Sequence, residues 1–187
     1  MRCPNRNNSS ATDQGRDGRP TRLIVFSGLP GVGKSSIARE LAYKINATYL
    51  RIDSIEQALR DSGALVQPMN EAGYGVAYAL AEENLRLGRT VVADCVNPIS
   101  ITRNAWREVA ARTEARILEI EVRCSDGAEH RRRVESRTVD VPGLVVPTWE
   151  EVLAREYHPW DRERLQVDSA VETPEQIVRM IRQMLNL

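Results

Sequence analysis

Apolar residues follow two alternating patterns along this chain. Five short runs rich in β-branched residues are typical of strands, and the segments between them repeat apolar residues at helical spacing. The predicted strands cover residues 21–27, 48–52, 90–93, 116–122 and 165–168. The predicted helices cover residues 36–42, 54–62, 71–87, 101–112, 126–136, 148–157 and 174–187. This alternation predicts an α/β fold, with a five-stranded parallel sheet covered on both faces and its functional loops at the carboxyl edge.

The residues before the first strand have a different composition. Residues 1–20 are mostly Asn, Ser, Arg, Asp and Gly, which bury too little apolar surface to fold, so we predict a disordered tail. Residues 21–187 predict a single domain, because a chain of 187 residues suits one core.

Charge and cysteine content narrow the range of partners. The 26 basic and 26 acidic residues cancel, so long nucleic acids are not expected as obligatory partners. The three cysteines lack metal-ligand spacing and indicate reduced thiols. Since there is no apolar signal segment and no run of about 20 apolar residues, we expect a cytoplasmic protein without a membrane span. The oligomeric state is left open.

A glycine-rich loop follows the first predicted strand. Residues 28–35 read G-L-P-G-V-G-K-S, a complete G-x-x-x-x-G-K-S motif between a strand and a helix. Glycines in this motif let backbone N–H groups turn toward phosphate oxygens, while the lysine reaches the β- and γ-phosphates and the serine ligates Mg²⁺. Only two basic residues are lysines, Lys34 and Lys44, so a lysine in the motif position is unlikely to be background. The predicted nucleotide-binding residues are Gly28, Leu29, Pro30, Gly31, Val32, Gly33, Lys34, Ser35 and Ser36.

Polar residues follow the second and third predicted strands. Asp53 either orients an acceptor hydroxyl and takes its proton or caps the next helix. Asp94 ends its strand in the manner of a Walker B aspartate; it either holds Mg²⁺ together with Ser35, contacts substrate, or bonds loop amides. Asn97 either orients substrate or braces its loop.

These motifs resemble those of small P-loop kinases of the chloramphenicol phosphotransferase and zeta-toxin type, a group of AAA-like kinases. The resemblance covers residues 22–187, and its first motif is far more specific than the others. It rests on residues 28–35, 51–54, 94–98, 167–168, Arg133 and Arg137. It implies a three-layer P-loop NTPase fold of the nucleoside-monophosphate-kinase-like kind, with a mobile lid at about residues 137–147. It also implies catalytic roles for Asp53, Lys34 and Arg137.

The arginines near the predicted lid and near the carboxyl edge of the sheet each allow two interpretations. Arg133 and Arg137 lie four residues apart on one helix face, where they either contact the nucleotide and neutralise transition-state charge or pair with nearby glutamates. We expect the first for Arg137 and leave Arg133 open, whereas Arg131 and Arg132 are expected on a solvated basic face.

The sequence indicates the residues that would contact the acceptor less clearly. Arg60 and Arg51 are expected near the carboxyl edge of the sheet, where they either hold an anionic group of the acceptor or are ordinary surface residues. The aromatic segment 156–161 either closes over the acceptor or packs as a corner.

Together these features predict an ATP-dependent, Mg²⁺-requiring kinase that phosphorylates a hydroxyl of a small molecule. One alternative is a P-loop NTPase or nucleotide-binding switch without a phosphoacceptor. Another is a kinase that acts on nucleotides or nucleic-acid ends.

Overall fold

The computed structural model describes residues 20–63, 72–138 and 140–187. The predicted disordered tail, apart from Pro20, lies outside the described residues. So do the loop predicted before the third helix and that helix's first residue, Glu71, as well as Val139 in the predicted lid.

Strands and helices alternate along the described chain. The strands are β1 (Arg22–Ser27), β2 (Thr48–Arg51), β3 (Val91–Asp94), β4 (Arg116–Arg123) and β5 (Leu165–Asp168). The helices are α1 (Lys34–Lys44), α2 (Ile52–Asp61), α3 (Ala72–Arg86), α4 (Ser100–Arg112), α5 (Gly127–Glu135), α6 (Trp149–Ala154) and α7 (Pro174–Met184). Every predicted element is present, and the ends differ by a few residues.

The five strands form one parallel sheet in the order β2-β3-β1-β4-β5. Successive side chains of a strand point to opposite faces, so both faces of the central strand must be covered. Ile24 and Phe26 of β1 pack in a cluster with α1 and α7, whereas Leu23 and Val25 pack with α3 and α4. The result is the three-layer α/β fold that the sequence predicts.

The carboxyl ends of the central strands meet at one edge of the sheet. Asp94 pairs in register with Phe26 on one side and with Arg51 on the other. The P-loop follows β1 directly, and α2 follows β2 without a connecting loop. The predicted convergence of the glycine-rich loop and the strand-end carboxylates is therefore confirmed.

Two helix ends differ from the predictions in ways that matter for the site. Helix α2 begins at Ile52, so Asp53 lies in its first turn and not before it. The N-cap residue is Arg51, and Asp53 makes no side-chain cap to this helix, so the capping interpretation of Asp53 is wrong. Helix α6 ends at Ala154, because the following residues leave the helix to supply backbone carbonyls to a buried arginine.

That arginine is Arg103 in α4, which is fully buried. Its guanidinium donates to the carbonyl oxygens of Asn97, Pro98, His158 and Pro159 at 2.9–3.2 Å. It also lies 4.1 Å from the ring centroid of Trp160 and 5.0 Å from that of Tyr157. The aromatic segment is thus a packed corner that fastens residues 156–161 to the loop after β3.

None of the helices in the described part of the chain is long and apolar enough to cross a membrane.

Candidate active site

A cavity of about 670 Å³ opens at the carboxyl edge of the sheet. Its walls come from the P-loop and α1, the β2–α2 junction, the end of β3, the end of α5 and the segment that follows it. The charged residues in its lining are Lys34, Arg39, Arg51, Asp53, Glu56, Arg60, Asp94, Arg133, Arg137, Asp140 and Arg155. The structure therefore brings the predicted P-loop, carboxylates and lid arginines to one place.

The N-terminus of α1 faces this cavity without a cap of its own. Gly33 is the N-cap residue in the left-handed region (φ 91°), no side chain in the described part of the protein bonds the first-turn N–H groups, and the first turn holds no acidic residue. The first N–H groups of a helix have no intrahelical partners, and the helix dipole makes this end positive. Lys34, Ser35 and Ser36 thus offer donors to an anion in the cavity.

The P-loop is supported from behind by neighbouring elements. A side chain at Gly28 (φ 136°) would overlap the carbonyl oxygen of Val122, and one at Gly31 (φ 84°) would overlap the side chain of Val134. His130 Nε2 lies 2.8 Å from the carbonyl oxygen of Pro30, so its protonated nitrogen donates to the loop. Because α5 carries both His130 and Val134, it fixes the loop's curvature. The sequence offered no signal for the role of His130.

Lys34 lines the cavity and is largely buried. Its side chain is one of the few charged groups in the interior, with the residue only 7% exposed, and its Nζ donates to the carbonyl oxygen of Leu29 at 2.8 Å. Burial lowers the pKa of Lys34, while the nearby carboxylates of Asp94 and Asp53 partly oppose this shift. The ammonium is thus positioned between the P-loop and both carboxylates.

The two strand-end aspartates have different surroundings. Asp94 is buried, and its Oδ2 accepts a hydrogen bond of 2.7 Å from the hydroxyl of Tyr49. Burial, followed by the charge of Asp94, raises the pKa of Tyr49, so the hydroxyl keeps its proton as the donor. The side chain of Asp53 is 37% exposed, and its Oδ2 lies 3.7 Å from Arg137 Nη2 and 3.5 Å from Arg51 Nη2. Asp53 therefore remains accessible from the cavity, whereas Asp94 is held in place.

The arginines in and after α5 fall into two groups: one is exposed and paired with glutamates, and the other lines the cavity. Arg131 and Arg132 are exposed and pair with Glu135 and Glu129, outside the cavity. Arg133 lines the cavity close to Gly33, and it donates to the hydroxyl and carbonyl oxygens of Ser169 at 2.8 and 3.0 Å. Its Nε also donates to Glu129, so Arg133 both faces the P-loop and ties α5 to the end of β5.

Asn97 lies away from the cavity, contrary to its prediction as a substrate residue. It is fully buried, its amide nitrogen donates to the hydroxyl of Ser27 at 3.0 Å, and its backbone N–H donates to the hydroxyl of Tyr74 at 2.8 Å. Its carbonyl oxygen accepts from Arg103. These bonds brace the loop after β3, which is the other role considered for this residue.

The wall of the cavity around Arg51 contains a cluster of charged residues that the sequence indicated only in part. Arg51 is buried, and its Nη1 donates to both carboxylate oxygens of Asp140 at 3.0 and 2.8 Å. Arg39 donates to the same carboxylate. Arg60, as predicted, reaches this wall, where it pairs with Glu56 at 3.4 Å. Asp140 and Arg39 carry no recognisable motif, because their partners are distant in sequence.

Solved structures of two kinases and of a third, nucleotide-bound protein share this fold. The APS kinase CysC of Mycobacterium tuberculosis, in complex with AMPPNP and APS, matches with a TM-score of 0.65 at 18% identity, over 90% of this chain and 99% of that chain. A gluconokinase from Sinorhizobium meliloti matches with a TM-score of 0.59 at 19% identity, over 89% and 92% of the two chains. Chaetomium thermophilum Kti12 in complex with ADP-AlF3 matches with a TM-score of 0.65 at 19% identity, over 87% and 98%.

Comparison of the sequence with individual curated proteins and with family models gives different results. No curated protein matches the chain. A family model described as an AAA domain matches residues 23–155, which is most of the chain. The chain therefore belongs to this AAA domain family, AAA_33.

Proposed function

We propose that this protein is an ATP-dependent kinase that transfers the γ-phosphoryl group to a hydroxyl of a small molecule. The observation that carries the proposal is the accessible carboxylate of Asp53, which lines the same cavity as the uncapped N-terminus of the P-loop helix and Lys34. Phosphoryl transfer needs alignment and charge neutralisation more than covalent work by the protein, and the cavity offers the groups for both.

The P-loop would hold the triphosphate of the donor. Backbone N–H groups at the start of α1 and the ammonium of Lys34 are positioned for the β- and γ-phosphates. Binding would exchange the bond from Lys34 to the carbonyl of Leu29 for bonds to phosphate oxygens. The nucleotide complexes of the APS kinase and Kti12 support such a binding mode in this fold.

The cavity also has a donor set that suits Mg²⁺. Ser35 and Asp94 provide hard oxygen ligands in the lining, and Mg²⁺ is usually held by one or two protein groups together with substrate phosphates. When bound, Mg²⁺ would neutralise charge on the phosphates. Tyr49 would act as a positioning residue, because its hydroxyl orients the carboxylate of Asp94.

Asp53 would act as the base for the acceptor. The hydroxyl oxygen attacks the γ-phosphorus, the bond from that phosphorus to the ADP oxygen breaks, and the hydroxyl proton passes to the carboxylate of Asp53. Asp94 is less suited to this role, because it is buried and engaged by Tyr49. Arg137, 3.7 Å from Asp53, would neutralise charge on the transferred group.

A screen of hydroxylated metabolites, nucleosides and antibiotics tests this function. Each compound is incubated with the protein, ATP and Mg²⁺, and a mass increase of one phosphoryl group is sought. We expect at least one compound to be phosphorylated in step with ADP formation. Formation of ADP and inorganic phosphate with every compound unchanged would instead indicate an NTPase. The finer resemblance to chloramphenicol phosphotransferase and zeta toxin stays a prediction that the same screen tests.

A further inference from the structure

The carboxylate of Asp140 is captured inside the cavity by two arginines. Arg51 Nη1 donates to both of its oxygens at 3.0 and 2.8 Å, and Arg39 donates to Oδ2. Asp140 comes from the segment between α5 and α6, whereas Arg39 belongs to α1 and Arg51 to β2. A single side chain from a loop thus occupies a junction of two rigid elements.

Arg51 is built to bind more than this one carboxylate. Its side chain is only 5% exposed, yet its Nε has no hydrogen-bond partner among the residues that the structure describes. The carboxylate of Asp94 lies 3.9 Å from Nε, which is beyond hydrogen-bond range. A buried donor without a partner is costly, and an anion with several oxygens can engage a guanidinium at more than one nitrogen.

The charge of the cavity lining favours such an anion. Although the whole chain is neutral, seven basic and four acidic residues line the cavity. Without Asp140 the balance becomes seven to three. In the proposed function Lys34 and Arg137 act on the phosphoryl groups, while Arg133 is engaged by Ser169 and Glu129. Arg39 and Arg51, in contrast, share the carboxylate of a loop residue.

A purely structural role for this contact explains less. Asp140 is 41% exposed and Arg39 is 56% exposed, and ion pairs of that kind add little stability. Arg103 shows how this protein satisfies a structural arginine, because its guanidinium is covered by carbonyls and aromatic faces. Arg51 instead lines an open cavity, where its Nη1 is held by the side chain of a loop residue.

We propose that Arg39 and Arg51 form a subsite for an anionic group of the acceptor, a carboxylate, sulfate or phosphate ester. Asp140 imitates that group and leaves the subsite when the acceptor binds. The inference rests on the proposed kinase function, since it names the chemical class of the acceptor. It is a statement about binding and involves no covalent step.

Sulfate serves as the probe for the subsite. Asp140→Ala removes the internal competitor, and Glu135→Ala is the matched control, because Glu135 pairs with Arg131 outside the cavity. We expect sulfate to bind Asp140→Ala about tenfold more tightly than the wild type, as for a site that is free in roughly a tenth of the molecules. Glu135→Ala should bind sulfate as the wild type does. Calorimetric titration at constant ionic strength measures these affinities.

Sulfate also binds P-loops, so a second variant separates the two sites. Adding Arg39→Ala to Asp140→Ala should abolish the gain in affinity, while the contribution of the P-loop stays the same in every variant. Arg39 is exposed and safe to replace. Equal sulfate affinity in the wild type and Asp140→Ala, or a gain that survives Arg39→Ala, would overturn the subsite.

The acceptor class is tested with pairs of hydroxylated compounds that differ only in an anionic group. With wild-type protein, ATP and Mg²⁺, we expect at least tenfold higher kcat/KM for the anionic member of a pair. Preference for the neutral member would overturn the inference and leave the kinase intact. If no compound is phosphorylated, the proposed function fails, and the sulfate titration still decides whether the anion subsite exists.

Discussion

The two halves of the cavity are built in different ways. The half that we assign to the nucleotide is made by one continuous stretch, residues 28–36, whose shape is fixed by close packing against α5 and the end of β4. The half that we assign to the acceptor is assembled from α1, β2, α2 and the loop after α5, and it is held together by ion pairs. The nucleotide half is therefore a rigid cradle, whereas the arrangement of the acceptor half depends on its ion pairs.

We infer from this difference that the fold itself provides the triphosphate site, whereas the side chains of the individual protein determine which acceptor it binds. A backbone cradle that needs only glycines and one lysine serves any triphosphate. A surface made of paired charges can be rearranged by changing one side chain, so it is suited to distinguishing acceptors.

Lys34→Ala should have the largest effect, because it removes the buried charge of the nucleotide half. We expect nucleotide binding to weaken and phosphoryl transfer to fall by about 10²–10³-fold or more, as for loss of one preorganised group at a developing charge. The control is Lys44→Ala, which removes the only other lysine, an exposed residue at the end of the same helix. Calorimetry with ADP and a transfer assay measure the two effects. Full activity in Lys34→Ala would refute the P-loop assignment.

Arg103→Lys should destabilise the corner formed by residues 156–161, which lies outside both halves of the cavity. Lysine cannot reproduce the planar fork, so buried carbonyl oxygens of the 156–161 corner lose their donors at a cost of roughly 1–3 kcal/mol for each unpaired group. We expect the free energy of unfolding in urea to fall by about 3 kcal/mol, with the ADP affinity of the folded protein unchanged. Arg112→Lys, at an exposed site of the same helix, is the control and should change stability by less than about 0.5 kcal/mol. A similar loss in both variants would contradict the role of Arg103.

The pH dependence of the Asp140 contact should be the smallest effect. The hydrogen bond from Arg51 lowers the pKa of Asp140 to about 2, below its ordinary value of 3.8. A lowered pKa means that the contact stabilises the fold above about pH 4 and that this contribution is lost as the pH falls toward 2. Because Asp140 is 41% exposed, solvent screens the pair, and we expect at most about 1 kcal/mol.

Urea unfolding of the wild type and Asp140→Asn checks this sign. The wild type should be the more stable protein at pH 6, and the difference should shrink below pH 4. A difference that grows as the pH falls would show that the carboxylate is not held in its ionised form.

Most of the fold follows from local patterns in the sequence. The alternation of β-branched runs and helical spacing gives the order of the elements. The capping boxes that begin α6 and α7, at Thr148 and Thr173, also join residues only three positions apart. The end of α6 could not be predicted, because it depends on Arg103, which lies about fifty residues earlier in the chain.

In the site, too, local motifs could be predicted from the sequence, whereas contacts between distant residues could not. The P-loop is a contiguous motif, and Asp53 and Asp94 are found by their places after strands. His130, Asp140 and Ser169 act on partners far away in sequence, so nothing in their own neighbourhood marks them. Asn97 is next to the predicted site in sequence, but its side chain turns inward to Ser27.

The most direct test of the proposed function is Asp53→Asn, with phosphoryl transfer and ADP binding measured on the same preparation. Asparagine keeps the size of the side chain but cannot take the proton of the acceptor, so we expect kcat to fall by about 10²–10⁴-fold while ADP binds as before. Asp61→Asn, at the exposed end of the same helix, should retain both properties. Undiminished transfer by Asp53→Asn would contradict the assignment of Asp53 as the base.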